Sequence, residues 1–295
     1  MCHAHISIRY ILGECNKYKI NMEDFSKYNG EGTPLREAQL CMLNILIEID
    51  KVCRKHDIPY WLDSGTLIGA VRHGGFIPWD DDMDICVLQK DYPLLQKFLV
   101  EELPQRYQLS DIQNDLYAFG LTPRVKDTFT YCNYPLFEKQ NSQGLWVDIL
   151  LQIPAVPTWY KKRVEKIYAR VFREIHHYAE SQGKSRWVCM FKTTLAYLAY
   201  PLALLLTWFG DSWAKKHYHG ELMHTWDVYH GSRRYEQEIF PLSEIDFEGK
   251  SFYVPHNVDA YLRRIYGDYM KIPDESHRQI HMDVNSLKFF NTTPS

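Results

Sequence analysis

The chain has 295 residues, with 34 Lys and Arg against 37 Asp and Glu and a formal net charge of −3. At 45% hydrophobic and 24% charged residues it reads as a packed chain able to bury a core without staples, which excludes disordered, collagen-like and polytopic membrane classes. The near-neutral balance removes any global attraction to nucleic acid, so a preference for phosphate must come from a local cluster. The 7 Cys are scattered and form no C-x-x-C pair, which fits reduced thiols. Tyr10-Ile11-Leu12 is too short an apolar run for a signal peptide, so a cytoplasmic location is expected.

In chain order, residues 1–32 form a flexible segment ending in Asn29-Gly30-Glu31-Gly32, with Met22 an alternative start. Cys2, His3 and His5 lack a fourth ligand and define no metal site. Thr33 suits an N-cap and Pro34 a first helical position. Apolar residues from Leu35 to Cys53 recur at three- and four-residue spacing, predicting an amphipathic helix over 34–55. A short strand at Tyr60-Trp61-Leu62 precedes a Ser64-Gly65-Thr66 turn and a brief helix over 67–72, stopped by Gly74-Gly75. Residues 83–88 read as a buried strand, 93–102 as a helix, and 107–151 as short strands. Beyond Pro154 and Pro157 the pattern turns helical at 158–180, 187–209 and 211–229, followed by a hairpin over 247–254 and a helix over 258–266. The expected organisation is a core over 33–157, a helical insertion over 158–235, and a C-terminal segment over 236–295 that packs back on the core.

The segment Trp79-Asp80-Asp81-Asp82-Met83-Asp84-Ile85 places four carboxylates within five positions. In an extended chain Asp80, Asp82 and Asp84 share a face while Asp81 points away. Carboxylates converging between apolar flanks repel unless a cation neutralises them, and a hard divalent ion such as Mg²⁺ or Mn²⁺ suits oxygen ligands. An EF-hand loop is excluded, because counting from Asp80 its glycine and glutamate positions hold Ile85 and Asp91. Asp148 is a lone acid within the apolar run Trp146–Leu151, where an unpaired carboxylate is costly, so it is expected to join the same cation. Ser64, Gly65 and Thr66, at a strand-to-helix turn, are candidates to hold phosphate. Arg72, Arg124 and Lys126 are the candidate cations beside it.

These residues resemble a known family. Gly65–His73 together with Gly75–Ile85 is similar to the LicD signature, and Tyr266-Gly267-Asp268-Tyr269-Met270, with Pro273 and Arg278, is similar to the family's C-terminal motif. The resemblance implies an α+β fold, a polymerase-beta-like nucleotidyltransferase with a mixed sheet flanked by helices. It further implies metal-dependent transfer of a phospho-alcohol, first of all phosphocholine, from a CDP-linked donor such as CDP-choline to a sugar hydroxyl of a glycan or lipopolysaccharide precursor, releasing CMP. Asp82 and Asp84 are then the paired metal ligands, Asp148 the third carboxylate, and Ser64, Gly65 and Thr66 face the donor phosphates. Two alternatives stand: transfer of NMP to a sugar phosphate or polymer, and an inactive glycan- or nucleotide-binding module.

The helical middle adds a further question. Residues 193–210 carry no charge, Pro201 splits them, and the basic stretch Lys161–Arg186 precedes them. A buried helix that caps the sheet behind a solvated basic helix is the simpler expectation. The alternative is peripheral contact of residues 187–209 with an anionic membrane.

Overall fold

The computed structural model describes residues 24–111, 122–134, 144–176, 186–226 and 232–290; Cys2, His3, His5 and Met22 lie outside them. After a short helix α1 (Ser26–Asn29), the long helix α2 (Pro34–Lys55) starts where the Thr33 side chain accepts the Arg36 N–H. Its apolar stripe, including Leu35, Met42, Ile45, Leu46 and Ile49, is buried. There follow β1 (Tyr60–Leu62), α3 (Ser64–His73), β2 (Asp84–Leu88), α4 (Tyr92–Glu102), β3 (Tyr107–Ser110), β4 (Arg124–Asp127), β5 (Thr130–Asn133) and β6 (Trp146–Pro154). Helices α5 (Thr158–His176) and α6 (Arg186–Lys216) precede β7 (Glu221–His224), β8 (Arg234–Tyr235) and α7 (Glu236–Ile239). The chain closes with a β9 (Ser243–Phe247) and β10 (Lys250–Val254) hairpin, α8 (Val258–Tyr266) and β11 (Asp283–Phe289).

The architecture is α+β, with one mixed sheet in the order β1-β2-β6-β4-β3. Strands β2 and β6 run parallel; β1 pairs β2, and β4 pairs β6, antiparallel. The nine-residue β6 is long enough to hold β4 along its first three residues, β2 along Asp148–Gln152 and β7 along its last three residues. Helix α2 packs across β4 and β6 and against α4. The C-terminal residues return to the core: β11 pairs β5, and Trp61 donates to the Tyr261 hydroxyl.

Two expectations for the helical middle need correction. No separate helix spans 211–226: α6 continues to Lys216, Gly220 turns the chain at φ 82°, and residues 221–224 become β7; residues 227–229 of that expectation lie outside the described residues. Pro201 sits inside α6 without ending it, and Tyr197, whose carbonyl loses its helical partner there, is exposed. Nor is α6 a buried cap. Its buried positions are small residues, while Trp187, Phe191, Leu198, Leu205 and Trp208 face outward.

Candidate active site

Parallel pairing of β2 with β6 sets Asp84 directly beside Asp148, and antiparallel pairing of β4 with β6 sets Arg124 on the other side of Asp148. Two carboxylates and a guanidinium therefore form one row across three strands. Arg124 Nε donates to Asp148 Oδ1 at 2.5 Å, Trp146 Nε1 donates to Oδ2 at 3.0 Å, and the guanidinium lies 4.5 Å over the Trp146 ring. Lys126 is buried on the same strand, opposite Trp146.

Asp80 and Asp82 approach the row along the extended lead into β2. The alternation read from the sequence holds: Asp80, Asp82 and Asp84 are half-buried, whereas Asp81 is buried and turns to the other side. There Asp81 accepts the backbone N–H groups of His281 and Met282 and bonds His281 Nδ1 at 3.0 Å. Burial, then repulsion from Asp82, pushes the Asp80 carboxyl well above the ordinary carboxylate range, and Asp80 and Asp82 share a hydrogen bond. The same two causes raise Asp84, and burial with the Asp81 and Asp148 charges lifts Asp82 to about 6. Such a cluster carries more negative charge than its protein neighbours neutralise, and its donors are all hard oxygens. It fits a divalent cation.

A second group tests that assignment. Among the described residues, the one trio whose ligand atoms all lie within 4.8 Å of one another is Asp63, Cys86 and His224. That spacing could hold an ion, yet a guanidinium already serves the carboxylate: Arg234 Nη2 donates to Asp63 Oδ2 at 2.8 Å and the Tyr261 hydroxyl to Oδ1 at 2.7 Å. Burial also pushes the Cys86 thiol well above its usual range, so it donates to Asp63 as a thiol and offers no thiolate. These donors fit a buried polar brace better than a metal centre.

The brace positions the turn after β1. Asp63 precedes α3, and Ser64 enters that helix at φ 51°, a left-handed conformation that costs a non-glycine residue about 1–2 kcal/mol. The Tyr266 hydroxyl, from the C-terminal motif, hydrogen-bonds the Ser64 side chain. Gly65 is needed for close approach: a Cβ there would lie 2.5 Å from Asp80 Oδ2. Thr66 is buried, and its hydroxyl accepts the Asp84 N–H at 2.9 Å, so it fastens α3 to β2 and sets the height of Asp84. Arg72 lies at the far end of α3, where its Nη1 donates to the carbonyls of Tyr269 and Lys271 while its charge still favours ionised Asp80. The structure thus brings together Asp80, Asp82, Asp84, Asp148, Arg124, Ser64 and Gly65, and gives Thr66 and Arg72 bracing contacts.

The sequence reading missed Asp63, His224, Arg234 and Tyr261. The signal for Asp63 was available, since it follows the apolar strand Tyr60–Leu62 just as Asp148 sits within another, and an acid so placed needs a partner. Its partners lie more than a hundred and fifty residues downstream, where spacing says nothing.

Residues 57–161 match the LicD/FKTN/FKRP nucleotidyltransferase domain family, so the chain carries a LicD-family domain. Over 280 residues, 84% of this chain and 95% of the relative, it is 26% identical to the lipopolysaccharide cholinephosphotransferase LicD of Haemophilus influenzae. It is 32% identical over 144 residues to an uncharacterised protein of Rickettsia prowazekii, covering 48% of this chain and 49% of that one. A shorter stretch of 68 residues, 22% of this chain and 13% of the relative, is 38% identical to the mouse ribitol 5-phosphate transferase FKRP.

Proposed function

We propose that the chain transfers a phospho-alcohol, with phosphocholine the leading candidate, from a CDP-linked donor to a sugar hydroxyl of a cell-surface glycan or lipopolysaccharide precursor, releasing CMP. The observation that carries this reading is the Asp84–Asp148–Arg124 row with Asp82 and Asp80 beside it. It is supported by similarity over most of the chain to a cholinephosphotransferase and by the nucleotidyltransferase description of the matched domain. We read the core accordingly as a polymerase-beta-like fold.

In the reaction the acceptor oxygen bonds the phosphorus that carries the alcohol, the bond from that phosphorus to the bridging oxygen of CMP breaks, and CMP leaves with the electron pair. Asp148 stands ready to take the acceptor's proton, and the Arg124 bond fixes the orientation of its carboxylate. Ser64 and Gly65 present the N-terminus of α3 to a donor phosphate, with Lys126 and Arg124 supplying positive charge along β4. Asp80, Asp82, Asp84 and Asp148 would hold Mg²⁺ or Mn²⁺, which when bound neutralises the diphosphate and the charge building on the leaving oxygen.

The domain description favours one second reading, transfer of NMP to a sugar phosphate or polymer. Incubation with CDP-choline, CDP-ethanolamine, CDP-ribitol and CDP-glycerol separates the two. Metal-dependent CMP release from one of them supports the first reading; pyrophosphate release from CTP, with no CMP from any CDP-alcohol, replaces it with the second.

A further inference from the structure

The α5–α6 hairpin packs in reverse of a water-soluble helix pair. Ala196, Ala203, Thr207, Gly210 and Ala214 of α6 are buried, at spacings of seven, four, three and four residues, and form one narrow seam. A Cβ on Gly210 would strike the rings of Trp226 and Tyr160. Large side chains cover the remaining arc, with Trp187 78%, Leu198 73%, Phe191 70% and Trp208 63% exposed, joined by Leu195, Leu202, Leu205 and Phe209. In water the driving force is to bury Leu, Phe and Trp and to leave small residues outside. Small residues at the contact and large apolar ones outward is the arrangement helices adopt in lipid.

Charge points to the same solvent. The outer face of α5 exposes Lys162, Arg163, Lys166 and Arg170, at spacings that keep them on one side. Lys192, Lys215 and Lys216 flank the uncharged length of α6. Trp159 at the root of α5 and Trp208 and Trp213 toward the root of α6 are exposed, where rings would reach a bilayer–water boundary. Between Met190 and Lys216 most of α6 is left uncovered by the rest of the protein.

We infer that the α5–α6 hairpin docks this protein on an anionic lipid bilayer, with the outward arc of α6 entering the acyl region and the basic face of α5 meeting the headgroups. The occupant of the arc is lipid, not a second copy, because a dimer seam through α6 would leave the α5 cations without an anionic counterpart. Taken with the proposed function, this brings the site to a lipid-borne acceptor, but the docking is tested without any turnover.

The test is flotation of the full chain with vesicles of phosphatidylcholine alone and of phosphatidylcholine with phosphatidylglycerol. The wild type should float with the anionic vesicles, and brominated acyl chains should quench its Trp fluorescence. Converting Lys162, Arg163, Lys166 and Arg170 to Gln should weaken partitioning to anionic vesicles by on the order of 100-fold, with little change on neutral ones. A Phe191→Ser, Leu198→Ser, Leu205→Ser, Trp208→Ser variant should lose flotation on both while keeping its circular dichroism, since these residues are mostly exposed in the fold. Failure of the wild type to float on anionic vesicles, or a dimer that the Ser variant splits while vesicles leave it intact, overturns the inference. CMP release from a water-soluble donor would be untouched by that failure.

Discussion

Replacing Asp63 with Asn removes one charge from the centre of the molecule and leaves its shape. Asp63 and Arg234 are 0% and 1% exposed, so the variant strands a guanidinium that water cannot reach. Burial on its own would raise the Asp63 carboxyl; Arg234, His224 and the Tyr261 hydroxyl overcome it and hold the group at about 2 against an ordinary 3.8. That depression corresponds to about 2 kcal/mol, and stranding the partner brings the expected loss to about 3–5 kcal/mol. At about 2 °C per kcal/mol for a chain of this size, the midpoint should fall by about 6–10 °C in a thermal melt followed by circular dichroism at pH 7. An Asp63→Asn, Arg234→Gln double variant should recover part of the loss, because the two sites are coupled. The wild type carries its own control. Its folded-state value lies below the unfolded one, so the stabilisation is complete above about pH 4 and drains away as pH falls toward 2. A single variant within 1 °C of wild type at pH 7 would refute the claim that Asp63 and Arg234 form a buried pair.

The site itself offers a metal-linked melt. Asp82 is held at about 6, above its unfolded value, so without metal the protein should lose stability as pH rises from about 4 through 6. Adding Mg²⁺ should raise the midpoint above pH 6 and leave it unchanged near pH 4; equal effects at both would remove the carboxylate cluster as the site. Asp84→Asn or Asp148→Asn should reduce CMP release by about 1,000-fold or more while the fold survives, checked by the same melt, and near-wild-type turnover would end their proposed role. Gly69→Ala places a Cβ against the Gly75 carbonyl and 3.0 Å from Ile77 N, both backbone, and should cost about 1–3 kcal/mol by urea titration. Asp81→Asn weakens the bonds to the His281 and Met282 N–H groups, and hydrogen exchange should quicken there and in β11 while β6 stays protected.

Where the determinants are local, sequence and structure agree closely. The Thr33-Pro34 start of α2, the β1 strand and the division of labour among Asp80–Asp84 all follow from periodicity and capping chemistry within a few residues. The acids at 84 and 148 could be paired from the cost of burying each alone, but their registration came only from the parallel β2–β6 ladder. Long-range placement was illegible. Nothing within α3 shows that Arg72 reaches carbonyls near residue 270, or that Thr66 holds the Asp84 amide. The hairpin misled for a different reason: apolar content says that a helix avoids water, but not whether protein or another medium covers it. That is decided by where the small residues fall, a pattern that shows once the partner helix is known.

The root of the hairpin has a mechanical consequence. Lys161 of α5 donates to the carbonyls of His224 and Thr225; His224 bonds Gln152, whose amide reaches Cys86, which in turn bonds Asp63 at the head of α3. An unbroken run of buried polar contacts thus ties the foot of the hairpin to the turn that carries Ser64 and Gly65. If the hairpin docks on lipid as proposed, this run of contacts would tie the depth of docking to the height of the carboxylate row above the bilayer, and so to how far an acceptor must protrude.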